Sequence, residues 1–216
     1  MDRARGRSED DDDEPGSGGH GRPFKRSFGE PAEKSQENFT DPDSRIMKVS
    51  GGFQQSYNTQ VAVDGKSRII VANGVTQSAA DVGQLRPLLD GIRTNTGRTP
   101  QRVLADAGYA SEKSLRSLQR RRIDGYVAQG RGETPTEQVA SSPEHQRVHE
   151  KLKTKSGQKQ DRKRKHIAEP PFGWIKSVLN FRSFSLQGHV DVKAEWNLVC
   201  LALNLKRLNA QMMWSG

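Results

Sequence analysis

The chain has 216 residues and a formal net charge of +9, and 31% of its residues are hydrophobic. This composition limits the hydrophobic core to a modest size and leaves room for one or two domains. Cys200 is the single cysteine, no apolar stretch approaches the ~20 residues of a membrane span, and the first 15 residues lack a signal-peptide core. We therefore predict a cytoplasmic protein without disulfides or a membrane anchor.

The charge is distributed unevenly along the chain. Residues 1–50 hold 12 acidic and 9 basic residues, so the remainder carries a net charge of +12. A basic body with an acidic tail is typical of proteins that bind a polyanion, most often nucleic acid, although a basic surface that only keeps the protein soluble is the alternative. The composition predicts a disordered linker over residues 1–37.

The first predicted elements are a turn and a β-hairpin. Residues 38–48 have acids around Pro42, which predicts a turn and argues against a central strand. Alternating apolar residues on both sides of the Asp64-Gly65 turn signal predict an antiparallel hairpin over residues 53–76.

A helix with one buried face is predicted after the hairpin. Its apolar residues recur at helical spacing: Leu85, Leu88, Leu89 and Ile92. Asp81 or Ser78 is the predicted N-cap, and residues 97–100 are predicted to end the helix.

The stretch 101–111 contains the most informative pattern in the chain. The apolar run 103–105 predicts a fully covered strand, Asp106 follows where the run stops, Gly108 permits a turn, and Ser111 caps a helix to about residue 121. Ligands collect at the carboxyl ends of strands in α/β sheets, so Asp106 is a candidate metal-binding carboxylate. An ordinary turn aspartate is the alternative interpretation.

Another short strand is predicted over residues 123–128, and residues 129–165 lack periodicity and are predicted to form a loop. The loop ends in a basic run with one acid and no aromatic residue, which indicates contacts to phosphates rather than to bases. A generic solvated face is the alternative. The candidate DNA-binding residues are Lys151, Lys153, Lys155, Lys159, Arg162, Lys163, Arg164 and Lys165.

Two helices are predicted in the last part of the chain. Pro170 fits the first position of one helix, and Glu169 before it would favour the positive end of the helix dipole. The alternative for Glu169 is a second carboxylate that meets Asp106 in space. The last helix, about residues 190–209, is apolar on two faces, which predicts burial between layers. The five histidines lack metal-ligand spacing and are interpreted as surface residues.

Four blocks of sequence carry a family resemblance: NFTDPDSRIM at 38–47, GFQQSYNTQVAVD at 52–64, VLADAGYAS at 103–111, and a long block over 164–208 that opens with RKHIAEPPFGWIK. With these blocks the chain resembles the C-terminal part of a bacterial insertion-sequence transposase of the DDE type. The resemblance implies an α/β fold, with an RNase H-like mixed sheet flanked by helices. It covers about residues 38–210, which implies a partial DDE domain over these residues and a tail over 211–216.

The resemblance also implies a chemistry. In this family three acids hold two divalent ions, Mg²⁺ (or Mn²⁺), which activate a water or a 3′-hydroxyl for in-line attack on a DNA phosphodiester. Asp106 falls on the second acid and Glu169 on the third, and the basic run would hold phosphates nearby. The implied function is DNA cleavage and strand transfer in transposition. DNA would be the partner, homodimers would pair the transposon ends, and the protein would be associated with the nucleoid.

The first acid of the family pattern is not found. In similar transposases it lies upstream in an Asp-Gly-Thr strand followed by Ala-Asn-Ala, and neither motif occurs here. Asp41, Asp43 and Asp64 are weak stand-ins, since none matches the motif. The resemblance therefore implies a copy truncated at its N-terminus, without the central first strand and with impaired activity. An inactive remnant, or a non-enzymatic basic protein that only binds DNA, is the alternative.

The missing strand has a structural consequence. Without it, two strand edges inside the sheet lack their hydrogen-bond partner. We expect impaired folding, a gap closed by direct strand pairing, or dependence on another chain.

Overall fold

A computed structural model describes residues 38–49, 51–129 and 142–214. The predictions for residues 1–37 and for the first part of the 129–165 loop lie outside these ranges. The described residues form a mixed α/β structure, which confirms the predicted class.

Six strands, five α-helices and one 3₁₀ turn are present in the described residues. The strands are β1 (Arg45–Val49), β2 (Gly52–Ser56), β3 (Asn58–Val63), β4 (Ile70–Thr76), β5 (Arg102–Ala105) and β6 (Asp124–Val127). The helices are α1 (Leu85–Thr96), α2 (Glu112–Arg120), α3 (Pro143–Lys153), α4 (Lys155–Ser177) and α5 (His189–Trp214), and the 3₁₀ turn is Ala107–Tyr109.

The strands pair into three separate two-stranded sheets. β1–β2 and β3–β4 are antiparallel, whereas β5–β6 is parallel. The predicted hairpin is confirmed as β3–β4, and Asp64 holds its turn by accepting hydrogen bonds from the Lys66 and Ser67 amides at 3.1 and 2.7 Å. The strand predicted from residue 53 is interrupted at Tyr57, and β2 pairs with β1, part of which was predicted as a turn. β3 does not pair with β5, so direct strand pairing does not close the expected gap.

Two apolar clusters hold these sheets against the helices. The first joins α1 and α2 to the β5–β6 sheet: Leu85, Leu89, Ala105, Leu115, Leu118, Ile123 and Val127. The second joins the β3–β4 sheet to α4 and α5: Ile70, Ile175, Trp196, Cys200 and Leu203. The β3–β4 and β5–β6 sheets therefore each bury apolar side chains in a separate cluster.

The helices α1 and α2 largely follow their predictions. α1 buries the three predicted leucines and ends at Gly97, whose φ of 68° is left-handed. α2 begins after Ser111, whose side chain accepts a hydrogen bond from the Ser114 amide at 3.2 Å. Neither predicted cap of α1 is used, because Gln84 takes the N-cap position without a side-chain bond and the Asp81 carboxylate has other partners.

Residues 143–165, predicted as a loop, are helical. This run was missed because its lysines, glutamines and arginines favour helix without forming an apolar stripe. α4 begins after Thr154, whose hydroxyl accepts a hydrogen bond from the Gly157 amide at 3.0 Å, and not at Pro170 as predicted. Gly157 lies in the tight corner between α3 and α4, against the Lys151 carbonyl.

Pro170 and Pro171 lie inside α4. Pro170 has no N–H to donate to the carbonyl of His166, four residues earlier. Arg68, in the loop of the β3–β4 hairpin, donates from Nη1 to that carbonyl at 2.7 Å. A side chain distant in sequence thus replaces a helical hydrogen bond, which is one reason why the helix continues through the prolines.

One of the two predicted apolar faces of the last helix is buried. Val192, Trp196 and Leu203 are buried with Cys200, and burial raises the pKa of the Cys200 thiol to about 12. The other predicted face is exposed, at 51% for Leu201, 58% for Leu205 and 46% for Leu208. Burial between layers was therefore a wrong prediction, since none of the described elements covers this face.

The interpretation of the histidines as surface residues was wrong for at least one of them. His145 is buried, with Nδ1 2.6 Å from the side-chain oxygen of Gln129, and burial lowers its pKa. His189 is half-buried, and its Nε2 lies 2.9 Å from the Val75 carbonyl.

The close packing at the α3–α4 corner predicts how a substitution there changes stability. A Cβ at Gly157 would lie 2.8 Å from the Leu152 Cα, so backbone must move. We expect Gly157→Ala to lower the free energy of unfolding by roughly 1–3 kcal/mol. Gly173→Ala is the control in the same helix, where a Cβ meets open space, and it should stabilise by up to about 1 kcal/mol. Urea unfolding followed by circular dichroism measures both, and equal effects would contradict a close-packed corner.

The hydrogen bond between Arg68 and the His166 carbonyl makes a second prediction. Pro170→Ala restores the helical N–H, so Arg68→Ala should destabilise the protein less in that background than with proline. We expect a coupling free energy of roughly 0.5–1.5 kcal/mol in a double-mutant cycle measured by urea unfolding. A coupling of zero would mean that the side chain does not compensate for the proline.

Candidate active site and nucleic-acid interface

Asp106 lies at the carboxyl end of β5, as the sequence predicted. It follows the buried Ala105 and begins the 3₁₀ turn, where its carbonyl accepts a hydrogen bond from the Tyr109 amide at 3.1 Å. Its side chain is 61% exposed. The prediction of a fully covered strand was wrong for Val103 and Leu104, which are only half-buried.

A network of polar side chains holds the turn after Asp106. Asp81 Oδ1 accepts hydrogen bonds from the amides of Asn58 and Gln60, both at 2.8 Å, and the Tyr109 hydroxyl donates to the side-chain oxygen of the buried Gln60. Burial and the charge of Asp81 raise the pKa of Tyr109, which keeps its hydroxyl protonated as a donor. Sequence reasoning missed this network because these three hydrogen bonds join residues that are 21 or more positions apart along the chain.

Gly108 is required by close packing in the same network. A Cβ at Gly108 would lie 2.6 Å from Asp81 Oδ2 and 3.1 Å from Asp81 Cβ. The glycine predicted for a turn is thus explained by the approach of a carboxylate that supports the position of Asp106.

Arg164 on α4 is the direct partner of Asp106. Its Nη1 forms an ion pair with Asp106 Oδ1, and its Nε lies 3.2 Å from Asp161 Oδ1. Only 12% of the Arg164 side chain is exposed. Burial lowers the pKa of the guanidinium, and the negative charge of Glu169 opposes that effect. The two predicted catalytic acids thus interact with one cation, which neutralises Asp106.

Glu169 is exposed and lies further along α4. In an ideal helix, five residues place it about 140° around the axis from Arg164 and about 7.5 Å along it. By the same geometry Glu169 shares a face with Lys155, Lys159 and Arg162. Asp106 and Glu169 are therefore near the same guanidinium but on different sides of the helix that carries it.

The three weak stand-ins for a first acid have structural partners. Asp41 is buried and accepts hydrogen bonds from the Tyr57 hydroxyl at 2.7 Å and the Gly188 amide at 3.1 Å. Asp43 accepts a hydrogen bond from the His189 amide at 3.0 Å. Hydrogen bonds from its own turn lower the pKa of Asp64.

The basic run divides into exposed and engaged residues. Besides Arg164, Lys151 is engaged: its Nζ pairs with Asp124, donates to the Gly125 carbonyl at 3.0 Å and lies 3.9 Å from the centre of the Tyr126 ring. The exposed members are Lys153, Lys155, Lys159, Arg162, Lys163 and Lys165. Three of them, at i, i+4 and i+7, form the basic face of α4, defined as Lys155, Lys159 and Arg162.

A family model described as the transposase DDE domain matches residues 29–205. The chain belongs to this transposase family. Comparisons with curated proteins and with solved structures find no match. Membership makes DNA transposition the general function of the domain, and it confirms the predicted DDE resemblance. No helix among the described residues is long and apolar enough to cross a membrane.

DDE transposases generally use divalent metal ions, and the described residues of this transposase domain do not by themselves fit such a centre. Across residues 38–49, 51–129 and 142–214, no group of three His, Cys, Asp or Glu side chains could hold a metal ion. Asp106 already has a cationic partner, and ideal helix geometry puts Glu169 on another side of α4. No catalytic step through a metal is therefore derived from this arrangement.

The pairing of Asp106 with Arg164 predicts competition between the guanidinium and divalent cations. Arg164→Gln frees the carboxylate, so we expect Mn²⁺ to bind at least threefold more tightly, and Asp106→Asn added to this variant should reverse the gain. Arg162→Gln, on the exposed face of α4, removes the same charge without freeing Asp106. Mn²⁺ titration followed by electron paramagnetic resonance measures the affinity of each variant. An equal gain in Mn²⁺ affinity in Arg164→Gln and Arg162→Gln would indicate a general electrostatic effect.

Proposed function

We propose that this transposase domain binds DNA through the basic face of α4 and is impaired in DNA cleavage and strand transfer on its own. The observation that carries the proposal is the row Lys155, Lys159 and Arg162, exposed on one side of a helix that also holds the partner of Asp106. Such a row suits the phosphate backbone of DNA, because contacts to phosphates do not depend on the base sequence. A DNA-bound protein of this kind would be cytoplasmic and nucleoid-associated.

The impairment follows from the carboxylates. Metal-dependent phosphodiester cleavage in this family's manner would need Asp106, Glu169 and a third acid around Mg²⁺ or Mn²⁺. Among the described residues, the acids considered for the third position have structural partners, and Arg164 neutralises Asp106. We therefore propose impaired cleavage by these residues alone, and the alternative is an inactive remnant that only binds DNA.

The proposal extends to the fold. The sheets β3–β4 and β5–β6 would be two parts of one RNase H-like mixed sheet, and the first strand of that sheet would belong between β3 and β5. Residues 38–210 would be this partial domain, with residues 1–37 as a linker and 211–216 as a tail. Support comes from the carboxyl-end position of Asp106 and from the lack of pairing between β3 and β5.

The DNA interface is tested by salt dependence. Changing Lys155, Lys159 and Arg162 together to glutamine should reduce the slope of log K against log salt by about 2–3, since each phosphate contact contributes ~0.9. The control removes three exposed charges from other helices: Arg93, Lys113 and Arg120. Fluorescence anisotropy with a 20-base-pair duplex measures both, and an equal reduction would refute a defined face.

Cleavage of DNA by this chain is tested in a separate assay. With Mg²⁺ or Mn²⁺ and supercoiled plasmid, we expect salt-dependent binding without nicking by this chain alone. Nicking that disappears in both Asp106→Asn and Glu169→Gln would instead support an active nuclease, with the missing carboxylate supplied by residues outside the described ranges.

A homodimer is the proposed assembly, and the exposed face of α5 supports it. Large apolar side chains recur at alternating spacings of three and four, which is the pattern of a helix–helix seam. They are Leu198, Leu201, Leu205, Leu208 and Met212, exposed by 66, 51, 58, 46 and 75%. The positions beside this seam are uncharged: Asn197, Ala202, Asn204, Asn209 and Gln211. In a protein of net charge +9, neutral flanks allow two copies of the helix to approach.

Sedimentation velocity tests this assembly. Leu201→Lys with Leu205→Lys should shift the protein from dimer to monomer, because two buried ammonium groups would face each other. Val82→Lys with Phe53→Lys alters exposed apolar residues elsewhere, 58% and 76% exposed, and should leave the dimer intact. A monomer in the unmodified protein at high micromolar concentration would exclude the assembly.

A further inference from the structure

We infer that Arg68 and Arg207 together form a binding site for one phosphate group. Arg68 lies in the loop between β3 and β4, and Arg207 lies on α5. Neither residue belongs to the basic face of α4, so the inference goes beyond the proposed DNA interface. Its evidence is the position of Arg207 against the loop, the unmatched charge of the two guanidinium groups, and their place at the end of the basic face.

Two amide side chains hold α5 against the β3–β4 hairpin, one on each side of Arg207. Asn204 accepts a hydrogen bond from the Ile70 amide and donates one to the Ile70 carbonyl, both at 2.8 Å. Gln211 donates to a carbonyl of the hairpin loop at 2.7 Å. Positions 204, 207 and 211 are spaced at i, i+3 and i+7, so they share one face of the helix. Arg207 therefore faces the hairpin between these two contacts, where Arg68 lies.

The two guanidinium groups have like charges and no anionic partner among the described residues. Nη1 of Arg207 is buried without a hydrogen-bond partner, and Nη1 of Arg68 donates to the neutral His166 carbonyl. Burial and the charge of Arg68 both lower the pKa of Arg207, whereas an adjacent acid would raise it. A buried donor without an acceptor and a repulsive pair of charges both cost free energy, and a bound anion would offset both costs.

Phosphate is the anion that fits two neighbouring guanidinium groups. Each guanidinium can donate two parallel hydrogen bonds to a pair of oxygen atoms. The oxygen atoms of a carboxylate lie in one plane, whereas those of a phosphate group point in several directions. One phosphate group can therefore be shared between Arg68 and Arg207, which approach it from the hairpin loop and from α5.

The site lies at the end of the basic face of α4. Arg68 contacts α4 at the carbonyl of His166, which follows Arg162 by four residues. Positions 155, 159, 162 and 166 therefore lie on one side of the helix. A DNA strand that runs along the basic face would bring its next phosphate groups toward the loop that carries Arg68. DNA is accordingly the favoured source of the phosphate group, and a free phosphate compound is the other source with the same chemistry.

Thermal unfolding in phosphate tests the site without DNA or metal, so its failure would leave the proposed DNA binding untouched. The probe is inorganic phosphate at about 10 mM, compared with chloride at the same ionic strength, which keeps general salt effects on stability small. We expect phosphate to raise the Tm of the unmodified protein by about 2–4 °C and that of Arg207→Gln by about 1 °C or less. The control, Lys206→Gln, removes the same charge one residue away, where Nζ lies 5.3 Å from the centre of the Trp174 ring, and it should keep the full response.

A second pair of variants tests Arg68 apart from its contact with the His166 carbonyl. In Pro170→Ala the helical N–H can bind that carbonyl, so Arg68→Gln can be added without leaving it unpaired. We expect Arg68→Gln with Pro170→Ala to lose most of the phosphate response, and Pro170→Ala alone to keep it.

A salt titration with the same DNA duplex distinguishes the two sources of phosphate. If DNA is the source, Arg207→Gln should lower the slope of log K against log salt by ~0.9, and Lys206→Gln should leave it unchanged. A lost phosphate response with an unchanged slope would also support the site and would assign it to a free phosphate compound. An equal Tm of the unmodified protein in phosphate and in chloride, or equal responses of Arg207→Gln and Lys206→Gln to phosphate, would overturn the inference.

Discussion

The ion pair between Arg164 and Asp106 is the interaction on which the arrangement of this domain depends. A guanidinium that is 12% exposed needs anionic partners, and it finds them in Asp106 at the end of β5 and in Asp161 one turn earlier on α4. The pair joins α4 to the sheet that carries the candidate catalytic acid. It also occupies that acid with a side-chain cation, so the contact that stabilises this state opposes a divalent metal ion at the same carboxylate.

The second constraint is the packing of α1 between the β3–β4 sheet and the β5–β6 sheet. This helix packs into the cluster of the β5–β6 sheet through Leu85 and Leu89, and its Gly91 lets it approach β4, where a Cβ would lie 3.2 Å from the Ala72 Cβ. Because α1 is close-packed against both sheets, β3 and β5 cannot approach each other without the loss of buried contacts on one side. The packing of α1 therefore explains why β3 and β5 do not pair directly.

Local signals explain which parts could be predicted from the sequence. The apolar run before Asp106, the Ser111 cap and the leucine spacing of α1 act within a few residues, and each forms its predicted element, although the run is only partly buried. The missed features depend on distant partners. Pro170 was misread as a helix start because the compensating donor, Arg68, lies about a hundred residues earlier. α5 shows the opposite limit, because an apolar face indicates that something covers it but not which molecule does.

The basic face of α4 and the side of α4 that holds Asp106 have different partners. By ideal helix geometry Glu169 lies on the basic face, whereas Arg164 faces the space between the sheets and pairs with Asp106. A phosphate bound to the basic face would lie on the side of Glu169, while Asp106 would stay paired with its guanidinium. Phosphate binding therefore does not by itself release Asp106, and the two properties can be changed by separate substitutions on one helix.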